Sequence, residues 1–318
     1  MKHSKSLQPA VILVTGGQGL LGSRVVPLLA ENSPGGEIIV VARKEKQQLG
    51  GSSQIRTISG DLRDESLWAR LPATITHVFH LAAVIPWKAE DKHKASVVTD
   101  NLLPVAYLIE HSHHWPHLAQ VIYSSSVSVY AQAQQPLSED SPKRPATLYG
   151  AAKLAGEELL GCLEARNVRT VSLRLSSLYA YGQYEGTVLP IMVKRALQKQ
   201  ELLIFGDGIR TQDFLHCEDA ARAILLAFEK QAQGAYNVGT GTFVTMTELA
   251  RAVNAIFANG ESRLVYQPQT QDNDPGIKLD ISKAKRELGF QPQFQIKEGL
   301  RHLQEEMSRD SLAVPAPE

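Results

Sequence analysis

The chain has 318 residues, 43% of them hydrophobic and 21% charged, which suits one large or two ordinary folded domains and is too apolar for disorder. Thirty-three Lys and Arg balance thirty-three Asp and Glu, so no basic excess exists to hold nucleic acid or an anionic membrane. Two cysteines, Cys162 and Cys217, make neither a disulfide framework nor a CxxC pair, which points to a reducing compartment.

The first apolar run, residues 10–14, is too short for a signal-peptide core and leads straight into glycines. No run reaches the roughly eighteen apolar residues of a transmembrane helix, so a cytoplasmic protein is expected. Short runs rich in Val and Ile at 10–14, 37–41, 55–59, 77–80, 120–124 and 170–175 predict strands. Several lack polar alternation, as strands buried on both faces of a parallel sheet do. Helical patterns at 20–31, 65–70, 94–113 and 149–164 lie between them, giving βαβ units and a doubly wound sheet. Pro27 falls inside the first helix and should kink or weaken it. Beyond Leu175 the pattern loosens, with helices at 187–199, 218–229, 247–257 and 296–306 set between Gly- and Pro-containing loops. The expected organisation is α/β: a dinucleotide-binding Rossmann domain over 7–175, a smaller mixed substrate-binding domain over 176–306 with elements crossing back to the sheet, and a tail over 307–318.

The first strand runs into Thr15-Gly16-Gly17-Gln18-Gly19-Leu20-Leu21-Gly22. Glycines there let the backbone turn tightly and approach a pyrophosphate, whose charge then sits at a helix N-terminus. The position between strand and helix at the head of a βα array gives this short motif its weight. An acid at the end of the second strand would bind ribose hydroxyls and favour NAD; Ala42 stands there and Arg43 and Lys44 follow. A guanidinium suits a 2′-phosphate, so NADP is favoured over NAD, unless Arg43 and Lys44 are solvated charges only. In Tyr149-Gly150-Ala151-Ala152-Lys153 the phenol and ammonium share one helix face, and the positive charge is expected to lower the Tyr149 pKa.

Together these segments resemble the extended short-chain dehydrogenase/reductases of the NAD-dependent epimerase/dehydratase family over about residues 10–305. The resemblance is carried by TGGQGLLG at 15–22, GDLRD at 60–64, HLAA at 80–83, SSSVSVYA at 124–131, YGAAK at 149–153 and GDGIRTQDFLHCEDAARA at 206–223. YNVG at 236–239 and DISKAKRELGFQP at 280–292 extend it. It implies that Gly16, Gly19 and Gly22 hold the cofactor pyrophosphate, with Gly17, Gln18, Leu20 and Leu21 completing the loop. Asp61 and Leu62 would flank the adenine, and Leu81, Ala82 and Ala83 would line the cofactor. Ser126, Tyr149 and Lys153 would form the catalytic triad, with Ser125 a rival one register step away. Tyr149 would exchange the hydroxyl proton, Ser126 would hold that oxygen, and Lys153 would bind the nicotinamide ribose and tune Tyr149.

Departures from the family narrow the reading. Val127 and Ser128 replace the Asp-Glu of the dehydratases, which argues against 4,6-dehydration. Ser177 stands where many sugar-nucleotide members carry Asn, Gln212 where they carry Arg, and residues 267–278 lack a further Arg. Two absent guanidiniums remove bidentate phosphate contacts, with Arg210 conceivably within reach to compensate. Helices 94–113 and 149–164 commonly pair across a homodimer in this family. Ala151, Ala152, Leu154, Ala155 and Leu159 supply the apolar surface for it. His111, His113, His114 and His117 crowd a helix end without a ligand set, so no metal is expected. Trp87 and Lys88 lie in a loop that faces substrate in the family. Three functions follow: an NAD(P)-dependent oxidoreductase or epimerase acting at a secondary alcohol or ketone carbon of a sugar or nucleotide-sugar-like substrate; an NADPH-dependent carbonyl reductase on a non-sugar metabolite; and a non-catalytic NADP-sensing regulator.

Overall fold

Six of the expected strands appear in the computed structural model within two residues of their expected bounds. The structure describes residues 10–33, 35–43, 54–131, 135–268 and 276–313. Chain order begins β1 (Val11–Thr15), α1 (Gly22–Asn32), β2 (Glu37–Ala42), β3 (Ile55–Ser59), α2 (Glu65–Ala69) and β4 (His77–His80). There follow α3 (Ser96–His111), β5 (Gln120–Ser126), α4 (Leu148–Gly161), β6 (Arg169–Leu175), β7 (Ser177–Tyr179), α5 (Val188–Leu197) and β8 (Leu202–Phe205). Then come β9 (Thr211–Gln212), β10 (Phe214–His216), α6 (Cys217–Glu229), β11 (Gly234–Val238), β12 (Val244–Thr245), α7 (Met246–Phe257), β13 (Leu264–Gln267) and α8 (Ile296–Ala313).

The main sheet has the order β11-β6-β5-β4-β1-β2-β3, and every neighbouring pair in it is parallel. Alternation along β1 explains the layers. Ile12 and Val14 enter a core with α1 and α6, while Leu13 enters the opposite core with α3 and α4. Strand order reverses between β1 and β4, so the crevice at their carboxyl ends is the topological switch point where such sheets place ligands. β11, which the sequence reading did not mark as a strand, returns from the second half to complete the sheet beside β6.

The second core gathers Tyr179, Leu189, Met192, Phe214, Leu249 and Leu300 around α5, α7 and α8. Helix α8 continues to Ala313, and Met307 packs on this core, so the expected tail from 307 begins as helix. Helix α1 runs through Pro27, held by buried Val25, Val26 and Leu29, although the ring has no N–H for the Ser23 carbonyl. None of the described helices is long and apolar enough to cross a membrane.

Candidate active site

A cavity of about 1010 Å³ follows the carboxyl ends of β1, β2, β4 and β5. Of the residues expected to hold a cofactor, Gly16, Gln18, Gly19, Leu20, Leu21, Gly22, Arg43, Asp61, Leu62, Leu81, Ala82, Ala83 and Tyr149 line it. Gly16 adopts φ +71°, and a Cβ there would lie 2.7 Å from the Ala82 Cα. A Cβ on Gly22 would overlap the Gly16 carbonyl oxygen, so the turn closes only because that position is glycine. The turn delivers α1 with no side-chain cap and no acidic residue in its first turn. Its positive dipole end suits a phosphate, although the Ser23, Arg24 and Val25 N–H groups are bonded within the turn. Gln18 Nε2 is also buried without a partner. Cradle, uncapped helix and cavity size fit a dinucleotide.

Two of the expected cofactor residues, Gly17 and Lys153, do not line this cavity. Gly17 is buried, and a Cβ on it would lie 2.7 Å from Val40 Cγ1, so it is glycine for packing. Lys44 lies outside the described residues. Lys153 is buried behind the cavity wall, its Nζ donating to the Ser124 carbonyl at 2.8 Å. Burial lowers the Lys153 pKa to about 7, opposed by the nearby Glu157 carboxylate. Its ammonium lies 5.8 Å from the Tyr149 ring centroid. The Tyr149 pKa is raised rather than lowered, because burial desolvates the phenolate.

Tyr149 reaches the cavity from the first turn of α4, which Thr147 caps by accepting the Gly150 N–H at 3.0 Å. Gly150 permits this approach, since a Cβ there would overlap the Ser128 carbonyl oxygen. Ser126 lines the same cavity; its Oγ accepts the Ser128 N–H at 3.1 Å and donates to Ser128 Oγ at 3.2 Å. Ser125 is committed elsewhere, its hydroxyl donating to the Glu157 carboxylate. That separates the two rival serines by geometry: Ser126 has the more accessible hydroxyl and Ser125 serves the interior.

At the end of the cavity beyond β2 and β3, Asp61 pairs with Arg63 at 2.6 Å, and Arg63 also reaches Asp100 at 3.2 Å. Hydrogen bonds from Arg63 hold the Asp61 pKa to about 2, and Arg43 adds a weaker attraction. The sequence reading missed Asn101. Buried on α3, it donates to the Val84 carbonyl at 2.9 Å and accepts the Val84 N–H at 3.0 Å, fixing the loop that follows β4. That loop brings Trp87 onto Tyr184, with ring centroids 5.6 Å apart and planes at 19°. Beneath it, Gln212 Nε2 donates to Ser177 Oγ at 2.6 Å, joining the two departures marked in the sequence.

The histidine-rich end of α3 makes no ligand cluster among the described residues. A different group, His216, His302 and Glu306, brings one ligand atom each within 4.8 Å of the others. His216 Nδ1 accepts the Glu218 N–H at 3.3 Å, so the neutral ring carries its proton on Nε2, toward the cluster. A protonated nitrogen offers a metal no lone pair, and Arg24 already pairs with Glu306 at 2.9 Å. The junction ties α8 to α1 and α6. Burial depresses the pKa of His77 to about 4 and of His80 and His216 to about 3. Each titrates near 6.5 when unfolded, so between these values the unfolded chain binds up to three more protons and stability is lost as pH falls. We expect the free energy of urea unfolding to fall steeply between pH 7 and pH 4.5, with a slope approaching about 4 kcal/mol per pH unit. A flat profile would show these rings to be solvated.

A parallel sheet with this switch point, a glycine turn and an uncapped helix define a dinucleotide-binding Rossmann enzyme. The chain belongs to the NAD dependent epimerase/dehydratase family, whose profile it matches over residues 12–239. It is similar to the crystal structure of a UDP-glucose 4-epimerase with UDP-glucose from Thermotoga maritima, at 30% identity and TM-score 0.83, covering 95% of this chain and 99% of that one. A UDP-glucose 4-epimerase of Thermus thermophilus in complex with NAD is 26% identical at TM-score 0.81, covering 93% and 98%. A dTDP-glucose 4,6-dehydratase of Streptomyces niveus is 29% identical over 304 residues, 91% of this chain and 90% of that one.

Proposed function

We propose that this enzyme interconverts a secondary alcohol and a ketone on a sugar-like substrate, with NADP favoured over NAD. The observation that carries the reading is that Tyr149 and Ser126 open onto the same cavity as the glycine cradle. When bound, the nicotinamide dinucleotide supplies a hydride donor or acceptor. Gly16, Gly19, Gly22 and the first turn of α1 hold its pyrophosphate, and Leu81–Ala83 form the wall beside it. Ser126 donates a hydrogen bond to the reacting oxygen. Tyr149 holds its proton at neutral pH and so can give it to the oxygen of a carbonyl being reduced. Lys153, anchored on Ser124, sets the field around that phenol. A simple NADPH-dependent carbonyl reductase is the second reading, favoured by the neutral Ser177–Gln212 pair. A homodimer through α3 and α4 accords with Leu159, which stands exposed on α4.

The test is to denature the purified protein, identify any released dinucleotide by mass, and titrate it with NADH and NADPH. Tightly retained cofactor supports an epimerase, which need not release it between turnovers; reversible NADPH binding supports a reductase. Arg43 stands exposed at the end of β2, on the cavity and beside Asp61. Arg43→Asp should weaken NADPH binding at least tenfold, about the value of one lost charge-assisted contact, and leave NADH binding nearly unchanged. Equal effects on both would make Arg43 a bystander.

A further inference from the structure

The loop after β4 carries Val84, Ile85 and Trp87, and all three border the cavity that Ser126 and Tyr149 share. They are 43%, 37% and 40% exposed, so the wall they form leaves large apolar side chains facing water. Apolar surface gathered on the wall of a cavity is where a ligand's own apolar face is bound. The loop is held in place, since Asn101 binds both the N–H and the carbonyl of Val84. Trp87 is braced from the other half of the chain. Tyr184, in the loop between β7 and α5, stacks on it at 5.6 Å and 19°. The Tyr184 ring in turn lies over Gly186, where a Cβ would overlap it. Tyr184 does not line the cavity, whereas its neighbours Gln183 and Thr187 do. One face of the indole is therefore taken by Tyr184, and the rest of it borders the cavity.

We propose that Trp87 is the surface on which the ring of the substrate packs, and that Tyr184 is a positioning residue that holds the indole there. The inference rests on the oxidoreductase reading above and adds its specificity: the reacting carbon belongs to a ring with a C–H face, as in a pyranose. An aromatic ring is negative over its faces, and C–H groups on hydroxyl-bearing carbons carry partial positive charge. The contact therefore gains electrostatic as well as apolar energy. A tryptophan alone on a loop samples several rotamers. Stacked on Tyr184 it is ordered before substrate arrives, so binding does not bear that entropy cost.

The probes are UDP-glucose and UDP, which differ by the sugar ring, titrated by calorimetry into protein saturated with NADPH, or with NADH if that binds tighter. With the cofactor already reduced, an alcohol has no hydride acceptor and binding alone is read. Trp87→Ala should lose about tenfold in UDP-glucose affinity, while its affinities for UDP and the dinucleotide stay within about threefold. Trp87→Phe keeps a ring and should stay within about threefold of wild type throughout. Tyr184→Ala should lose about threefold, and the double variant no more than Trp87→Ala alone, because Tyr184 acts through Trp87. Acrylamide quenching gives a second readout, since Trp68 and Trp115 are 1% and 2% exposed and Trp87 dominates it. Tyr184→Ala should raise the quenching constant, and UDP-glucose should lower that of wild type more than UDP does. Unchanged UDP-glucose affinity in Trp87→Ala, an equal loss for UDP, or no binding of UDP-glucose to wild type at on the order of 1 mM overturns the inference. Losses that add in the double variant overturn the role given to Tyr184. If Trp87→Ala cannot hold the dinucleotide, quenching of wild type decides alone. Failure of wild type to bind either NADPH or NADH overturns the oxidoreductase reading instead, so the two failures are read on separate ligands.

Discussion

Tyr149→Phe lowers turnover by about a thousandfold or more and leaves the NADPH dissociation constant within a few-fold of wild type. The ring is kept and only the proton-bearing oxygen is lost. Positioned acid–base groups typically contribute about 10²–10⁴-fold, and the other phenol along the cavity, Tyr179, is fully buried. The measurement is NADPH oxidation with the best carbonyl substrate found on wild type, beside a fluorescence titration of NADPH. Packing strengthens the comparison. Thr147 caps α4 and Gly150 lies against the Ser128 carbonyl, so the ring stays where the helix start places it. Substantial residual activity would remove Tyr149 from the triad. Loss of NADPH binding would mean that the phenol supports the cavity rather than the chemistry.

The glycine turn, the parallel strands and the YxxxK helix were legible in the sequence because each is a local pattern. Gly22 is required by backbone contacts within its own turn, and β1 and β2 announce themselves by continuous apolar runs. What failed depends on partners distant in the chain. Spacing placed the Lys153 ammonium near the Tyr149 ring, 5.8 Å from its centroid, but could not show that it also donates to a carbonyl 29 residues earlier, on β5. The resemblance chose Ser126 over Ser125 by one register step, and the geometric ground for that choice, the Glu157 carboxylate that engages Ser125, lies out of reach of local spacing. Gly17 reads as part of a phosphate loop, yet Val40 and Val26 decide its identity from the sheet and helix packed around it. β11 was missed because Gly234–Val238 has too little apolar surface to stand out until β6 supplies its partner. Likewise Trp87 and Tyr184 meet only because two loops converge over the cavity.

Arg174→Met is expected to cost about 3–5 kcal/mol of stability, the penalty for leaving a buried charge without its partner. Arg174 and Glu157 are 3% and 7% exposed and pair at 2.7 Å between β6 and α4. The guanidinium also donates to the Tyr130 hydroxyl at 2.7 Å and to the Glu139 carbonyl at 3.0 Å, and Tyr130 in turn donates to Asn237 at 2.7 Å. One side chain thus links α4, the turn after β5 and β11. Glu157 lies one helical turn beyond Lys153, so the same substitution should disturb the helix that presents Tyr149. Urea unfolding at pH 7 measures the loss. The double variant Arg174→Met, Glu157→Leu discriminates its cause: with both charges gone, most of the loss should be recovered, because the destabilising species is a buried carboxylate stripped of its guanidinium, with the Ser125 hydroxyl and the neighbouring Lys153 too little to replace it. If the double variant is as unstable as the single one, the hydrogen bonds to Tyr130 and Glu139 carry the energy, and the site depends on Arg174 as a donor rather than as a charge.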